Sequence, residues 1–273
     1  MNKYWEILIL WKCKCSCYYC LWREMAKANM EDQLSTDFHT RENFNNFLNQ
    51  CKKEWMNIIY LSSVNTDPAL YMYLPELIQY LQERDFNVWI RANAANITVN
   101  NINTLLSCNS EISISLNAYS PETSIKIAWI QAKNEMKILQ NFLNKVTNQT
   151  VRVSIVINKY NKDEIFDIIN QLNDKYYNKI SYIQLRQVYK YKDKKSFEQD
   201  REAFKSISEY FNKNIKLFDN FFESTIYKIW NIKISLWETV FKKESIKSLN
   251  YFTNWAIVTN NFLVPWFENN ENY

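Results

Sequence analysis

An α/β fold, specifically an open (β/α)6 partial barrel of TIM type with a C-terminal extension, is what this sequence predicts. Three observations carry the expectation. Short apolar runs alternate with amphipathic stretches six times over the first two thirds of the chain. No apolar run approaches the roughly 18 residues a membrane span needs. From about residue 190 the alternation stops and the pattern changes.

The elements follow in order. Tyr4 to Leu10 is a short apolar run that suits a buried strand, followed by a polar, helix-prone stretch with Phe44 and Phe47 at helical spacing before Cys51. Asn57 to Leu61 (NIIYL) is the second strand. Leu74 to Arg84 (LPELIQYLQER) places apolar residues at i, i+3, i+4 and i+7, an amphipathic helix. Asn87 to Arg91 is the third strand and Val99 to Leu106 a short helix. Glu111 to Leu116 (EISISL) alternates as the fourth strand. Ser120-Pro121-Glu122 signals a helix start, and the spacing predicts one helix over Ile125 to Val146. Val151 to Ile157 (VRVSIVI) is the fifth strand, Asp163 to Leu172 its helix, and Ile180 to Val188 the sixth strand. Six such units in series imply a parallel sheet with right-handed crossovers. Beyond it, Phe197 to Phe211 reads as a helix, and Ala256 to Thr259 with Phe262 to Val264 flank Asn260-Asn261 as a hairpin. The expected division is residues 1–190 as the barrel domain and 191–273 as a helix-plus-hairpin extension. That extension has no cysteine and so no thiolates for a second cluster.

Composition narrows the class. Of 273 residues, 47% are hydrophobic, enough for a sizeable core, and the net charge of +4 is too weak and too scattered to point to nucleic acid. The N-terminal run Ile7 to Leu10 is shorter than the apolar region of a secretory signal. The expectation is a cytoplasmic protein without a membrane segment. Thiols stay reduced in that compartment, so clustered cysteines suggest metal before disulfide.

Such a cluster is present. The segment from Trp11 reads WKCKCSCYYCLW, with cysteines at 13, 15, 17 and 20; Cys51 and Cys108 stand alone. Three readings compete. One is a set of buried reduced thiols. One is structural zinc, which takes four ligands in a tetrahedron, commonly from two separated CxxC pairs, and no second pair exists here. The third is an iron–sulfur cluster on Cys13, Cys17 and Cys20. Three thiolates on a cubane leave one iron open to chelate a small molecule, whereas purely electron-transferring clusters usually take four cysteines. Cys15 could supply a fourth thiolate. The loop follows the first strand, and in parallel sheets ligands sit at the carboxyl ends of strands.

CxxxCxxC after the first strand of a (β/α) chain resembles the radical SAM superfamily, as does an aromatic, Tyr19, just before the third cysteine. The resemblance covers residues 1 to about 190. It implies a [4Fe–4S] cluster on Cys13, Cys17 and Cys20 that binds S-adenosylmethionine (SAM), reductive cleavage to a 5′-deoxyadenosyl radical, and hydrogen abstraction from a substrate. It implies further cofactor-binding positions. Asn65, Thr66, Asp67 and Pro68 stand where the family often has Gly-Gly-Glu-Pro, with Asp67 in the acidic place and both glycines missing. Asn93 lies in the turn after the third strand. Ser115 and Asn117 end the fourth strand, where relatives present a polar residue to the ribose. Ser154 on the fifth strand and Gln184 and Arg186 on the sixth could face the cofactor; a buried arginine needs a carboxylate, and the methionine carboxylate is one. His39, the only histidine, has no role assigned.

The resemblance also implies a low-potential flavodoxin- or ferredoxin-type electron donor. The substrate is a peptide or a small molecule, with the aromatic-rich tail favouring a peptide. The alternative class is a non-catalytic metal-binding or interaction protein that lost turnover with its glycines. The chain has no glycine at all and 10 tryptophans, against an average glycine content of about 7%. Trp55, Trp129 and Trp255 stand where relatives have glycine. Two accounts are open: codons read as tryptophan in place of glycine, or glycine lost by compositional drift or redesign.

Overall fold

The computed structural model describes residues 2–10, 13–20, 37–40, 42–64, 67–128, 134–188, 194–221, 224–237, 246–252 and 257–259. The chain alternates β1 (Asn2–Leu10), α1 (Glu42–Lys53), β2 (Ile58–Val64), α2 (Leu74–Gln82), β3 (Asn87–Asn93), α3 (Ile102–Leu106), β4 (Ile112–Ser115), α4 (Pro121–Ala128), α5 (Glu135–Lys145), β5 (Val151–Ile157), α6 (Ile165–Tyr176) and β6 (Ile180–Gln187). Then come α7 (Lys194–Asn214), β7 (Leu217–Phe221), β8 (Ser224–Ile229), β9 (Ile232–Trp237), β10 (Ile246–Phe252) and β11 (Ile257–Thr259).

All strands join one sheet in the order β11-β10-β1-β2-β3-β4-β5-β6-β9-β8-β7. The order has two ends, so the barrel is open. β1 to β6 lie parallel in sequence order. The C-terminal strands extend both edges: β10 runs parallel beside β1, and β9 runs parallel beside β6.

Side-chain alternation sorts the sheet into two faces. In β3, Val88, Ile90 and Ala92 are buried while Asn87, Trp89, Arg91 and Asn93 are half-buried. The first set joins Ile59, Leu61, Ile112, Ile114, Val153, Ile155, Ile183 and Leu185 in a core against the helices. Helix α2 meets it with Leu74, Leu77, Ile78 and Leu81, and α6 with Ile165, Ile168, Ile169 and Leu172, the i, i+3, i+4, i+7 stripe in each case. Each fully buried Ile or Leu contributes about 1.5–3 kcal/mol. Cys51 and Cys108 lie in this core as small apolar residues, and burial pushes both thiols up to about 12. The other face is polar and forms the concave wall. Arg91, Ser113, Arg152 and Tyr182 face one another across β3 to β6. Asn93, Ser115, Ser154, Gln184 and Ser235 make the next row toward the carboxyl ends.

One expectation is corrected. The helix expected over Ile125 to Val146 is two helices. Asn134 accepts a hydrogen bond from the Lys137 N–H at 2.8 Å and so caps a new start at Glu135. In the tail, Ile257–Thr259 pairs antiparallel with Ile246–Phe252, a strand additional to those expected, and Asn260 to Val264, the rest of the expected hairpin, lie outside the described residues. Trp129 and Trp255 lie outside them too.

Three residues take left-handed backbone: Trp55 (φ 59°), Asp85 (φ 63°) and Trp230 (φ 50°). Trp55 and Asp85 follow α1 and α2 in the same motif. Met56 N–H bonds to Cys51 O while Trp55 N–H bonds to Lys52 O; Phe86 N–H bonds to Leu81 O while Asp85 N–H bonds to Gln82 O. These are Schellman caps, whose left-handed position is usually glycine. Among the described residues no helix is long and apolar enough to cross a membrane.

Candidate active site

The carboxyl ends of the parallel strands form one mouth, and the cysteine loop follows β1 into it. Residues 16–18 lie against the end of α4. Ser16 N–H donates to Ala128 O at 2.7 Å and Tyr18 N–H to Ile127 O at 3.1 Å. The loop thereby takes up carbonyls that a helix end leaves without intrahelical donors. A turn follows, in which Cys20 N–H bonds to Cys17 O at 3.1 Å.

The thiols divide in two. Cys15 is buried, packed on Ala95, Ala118, Ile127 and Ala128. Its sulfur accepts from the Asn96 amide at 3.9 Å, and its N–H donates to Cys13 Sγ at 3.3 Å. The Cys13 hydrogen bond and burial hold the Cys15 thiol well above its ordinary value. Cys13, Cys17 and Cys20 are half-buried and free of disulfides. Among the described residues, no three His, Cys, Asp or Glu side chains converge as a single-ion site.

Tyr19, between Cys17 and Cys20, donates its hydroxyl to Asn117 Oδ1 at 3.2 Å. Burial raises its phenol well above the ordinary value, with the Cys17 and Glu135 charges adding. Asn117 is buried just past β4. Its N–H donates to Glu135 Oε2 at 2.9 Å, its amide to Glu135 Oε1 at 3.2 Å, and its carbonyl accepts from Asn161 at 2.8 Å. Glu135, wholly buried at the start of α5, thus reaches the mouth through Asn117.

Asp67 is buried after β2. Oδ1 accepts from Ala69 N–H at 2.8 Å; Oδ2 accepts from Asn93 N–H at 2.5 Å and from the Asn96 amide at 3.0 Å. Burial pushes its carboxyl up to about 6, against the lowering effect of those three donors. Asn93 in turn accepts from Ala95 N–H at 2.9 Å. The carboxylate therefore ties the loops after β2 and β3 together, with Asn96 reaching on to Cys15. Asn65 and Thr66 lie outside the described residues.

Ser115 is half-buried at the end of β4. Ser154 is buried and donates to Gln184 Oε1 at 3.4 Å; Arg186 is half-buried toward the end of β6. Tyr19, Asn117, Asp67 and Asn93 thus meet around the cysteine loop, while Ser154 and Arg186 lie on β5 and β6 across the mouth. His39 is exposed beside Asp37, its ring 5.6 Å from that of Tyr80 on α2.

Sequence reasoning missed Asp200. Wholly buried on α7, it accepts the Tyr18 hydroxyl on both oxygens, at 2.9 Å each, and Lys159 N–H at 2.8 Å. Tyr160 meets Tyr18 edge-on at 5.6 Å, and Lys159 Nζ lies 5.7 Å from the Tyr18 ring. A segment after residue 190 is thereby bonded to the cysteine loop. Glu135 and Asn96 were missed as well. Asn134-Glu135, a cap residue followed by an acid inside an apolar periodicity, was the available signal for Glu135.

No family model and no curated protein matches the chain. Solved structures do. SuiB of Streptococcus suis bound to its precursor peptide SuiA superposes with a TM-score of 0.64 at 14% identity, over 94% of this chain and 58% of SuiB. SuiB bound to SAM gives 0.61 at 13%, over 94% and 57%. The enzyme anSMEcpe with bound AdoMet gives 0.57 at 11%, over 78% and 62%. The chain spans less than two thirds of each of these. At such identities the likeness establishes the fold alone, the open partial α/β barrel that these structures share.

Proposed function

We propose that this chain is a radical SAM enzyme whose site lies at the mouth of the parallel strands. One observation carries the reading. Of four cysteines in one loop, Cys15 turns into the core, and the other three, spaced CxxxCxxC, stay half-buried at the carboxyl end of β1. Cys13, Cys17 and Cys20 would hold a [4Fe–4S] cluster which, with SAM at the iron left open, supplies a 5′-deoxyadenosyl radical for hydrogen abstraction.

The chain's own residues do the positioning. Asp67, with Asn93 and Asn96, fixes the loops on which Asn65 and Thr66 would meet the methionine end of SAM. Tyr19 closes one wall beside Cys20, where an adenine would lie. Asn117, held by Glu135 and Asn161, sits where a ribose hydroxyl would bond, with Ser115 beside it. Ser154 and Arg186 face the mouth from β5 and β6, and the Arg186 guanidinium suits a carboxylate. Asp200, through Tyr18, keeps the cysteine loop from swinging outward. The apolar helices outside the sheet and the polar concave wall inside it set where water is excluded. The substrate we favour is a peptide, supported by the SuiB likeness, since that enzyme was solved with a precursor peptide. The electron donor we favour is of flavodoxin or ferredoxin type.

The test is anaerobic reconstitution, followed by reduction with SAM present. The expected result is a brown protein with about four irons and four sulfides that yields 5′-deoxyadenosine. A colourless protein with one zinc, or a loaded cluster that never yields 5′-deoxyadenosine, overturns the reading.

A further inference from the structure

We propose that the free edge of the sheet at β7 docks an acidic, extended segment of the peptide substrate. This rests on the peptide reading above. Among the described residues β7 ends the strand order: β8 is its neighbour on one side and no described strand pairs with its other edge. Lys228 and Lys233 face each other directly across the β8–β9 hairpin. Like charges so placed destabilise a sheet. Among the described residues neither lysine has a carboxylate within ion-pair distance. Both ammonium groups instead lean toward the edge strand, with Nζ 6.0 and 5.4 Å from the Phe218 ring centroid. Phe218 and its neighbour Leu217 are about half exposed.

A peptide strand added to β7 would satisfy the open backbone groups, lay apolar side chains on Phe218, and set a carboxylate between two cations that now repel each other. The surface is continuous with the candidate site. Lys233 and Ser235 lie on the same face of β9, Ser235 pairs with Gln184, and Trp237 pairs with Arg186 at the mouth. From Lys233 to Trp237 is about 13 Å at strand rise, so an extended peptide anchored at β7 can reach the mouth within a few residues. A strand ladder suits a peptide rather than a nucleic acid.

The probe is a fluorescein-labelled peptide of alternating Glu and Thr, with its Lys/Thr counterpart and a single-stranded oligonucleotide as controls. Anisotropy should show the acidic peptide binding. The Lys228→Glu/Lys233→Glu variant should weaken it at least tenfold, and Lys228→Gln/Lys233→Gln less. Equal binding of the basic peptide, tighter binding of the oligonucleotide, or no change in either variant overturns the docking site. A parent protein that binds the peptide yet makes no 5′-deoxyadenosine leaves the docking site standing and removes the radical reading. One that makes 5′-deoxyadenosine and ignores the peptide does the reverse.

A second, independent observation concerns the tryptophans. Of the five in described positions, Trp55 and Trp230 are left-handed, at 93% and 60% exposure. Trp5 and Trp89 are placed with the indole N–H buried and without a hydrogen-bond acceptor. Trp55 fills a Schellman cap. Trp230 opens the two-residue β8–β9 loop, where left-handed backbone at the first position calls for glycine. Left-handed backbone crowds a Cβ against the following carbonyl oxygen, and a bulky aromatic gains nothing back when it points into water. We infer that the polypeptide made in its source carries glycine at 55 and 230, the codons being read as glycine there. Peptide mapping by mass spectrometry of the protein isolated from its source should find glycine at both positions; tryptophan at both overturns the inference. Recombinant Trp55→Gly/Trp230→Gly should melt a few degrees higher, roughly 2–4 °C per site, and an unchanged melting temperature counts against it.

Discussion

The two ends of the strand array bury carboxylates in different ways. Away from the mouth, acids on the concave wall sit with arginines. Glu6 accepts from Ser62 and lies 3.6 Å from Arg91; Glu111 lies 3.6 Å from Arg152 and accepts from Ser181 at 3.0 Å. Arg152 also donates to Ser113 and Tyr182, at 3.1 and 3.0 Å. At the mouth, Asp67 is held by neutral donors: two backbone N–H groups and the Asn96 amide. Burial raises both Asp67 and Glu111, but the Arg152 charge counters it only for Glu111. The lower wall carries its own neutralising charge and is structural. Among the described residues, the mouth keeps a buried acid, Asp67, held by neutral donors and with no arginine or lysine paired to it.

Breaking this contrast should give effects of graded size. The largest belongs to the loop itself. Cys17→Ala should abolish the brown colour and the bound iron after reconstitution, while Cys15→Ala, which alters core packing, should keep both; iron assays and absorbance distinguish them. Next comes the lower wall. Arg152→Met leaves Glu111 buried beside an uncompensated site and should cost about 3–5 kcal/mol in denaturant unfolding. The pair replacement Arg152→Met/Glu111→Gln should recover much of that loss. Asp67→Asn should cost less, about 1–3 kcal/mol, because one hydrogen-bonded acceptor becomes a donor facing donors.

The pH dependence sharpens the same point. Asp67 titrates near 6 when folded and near 3.8 in its ordinary state. Between those values the folded form binds more protons than the unfolded one, so stability falls as pH rises from about 4 to about 6. The slope is at most about 1.4 kcal/mol per pH unit, and Asp67→Asn should flatten it. The smallest effect is that of Asp200. The Tyr18→Phe and Asp200→Asn double-mutant cycle should return a coupling of about 1–2 kcal/mol, measured by unfolding.

Much of the barrel was legible because its strands are buried on the helix side and its helices carry one apolar stripe. VRVSIVI and LPELIQYLQER each announce their period. The cysteine loop was legible from spacing and from its place after the first apolar run. What could not be read has physical reasons. β8 and β9 meet at Trp230-Asn231, a tight turn without the glycine that would signal it. The break between α4 and α5 falls inside a run of consistent helical periodicity. Glu135 and Asp200 act from helices remote in sequence from the cysteines, so only the fold brings them to the mouth. Asp67 was found by position, but its three internal donors were not readable from one strand end.

The pairing of β1 with β10 has a kinetic consequence. Register from Asn2 with Ile246 to Leu8 with Phe252 joins two strands that lie far apart in the chain. At the usual pace of translation, tens of seconds separate them. Until then, the strand that leads into the cysteine loop has one flank open. Closing so long a loop is slow and raises the contact order of the fold. The strand that leads into the cysteine loop is therefore flanked on both sides only after β10 has been made and has docked.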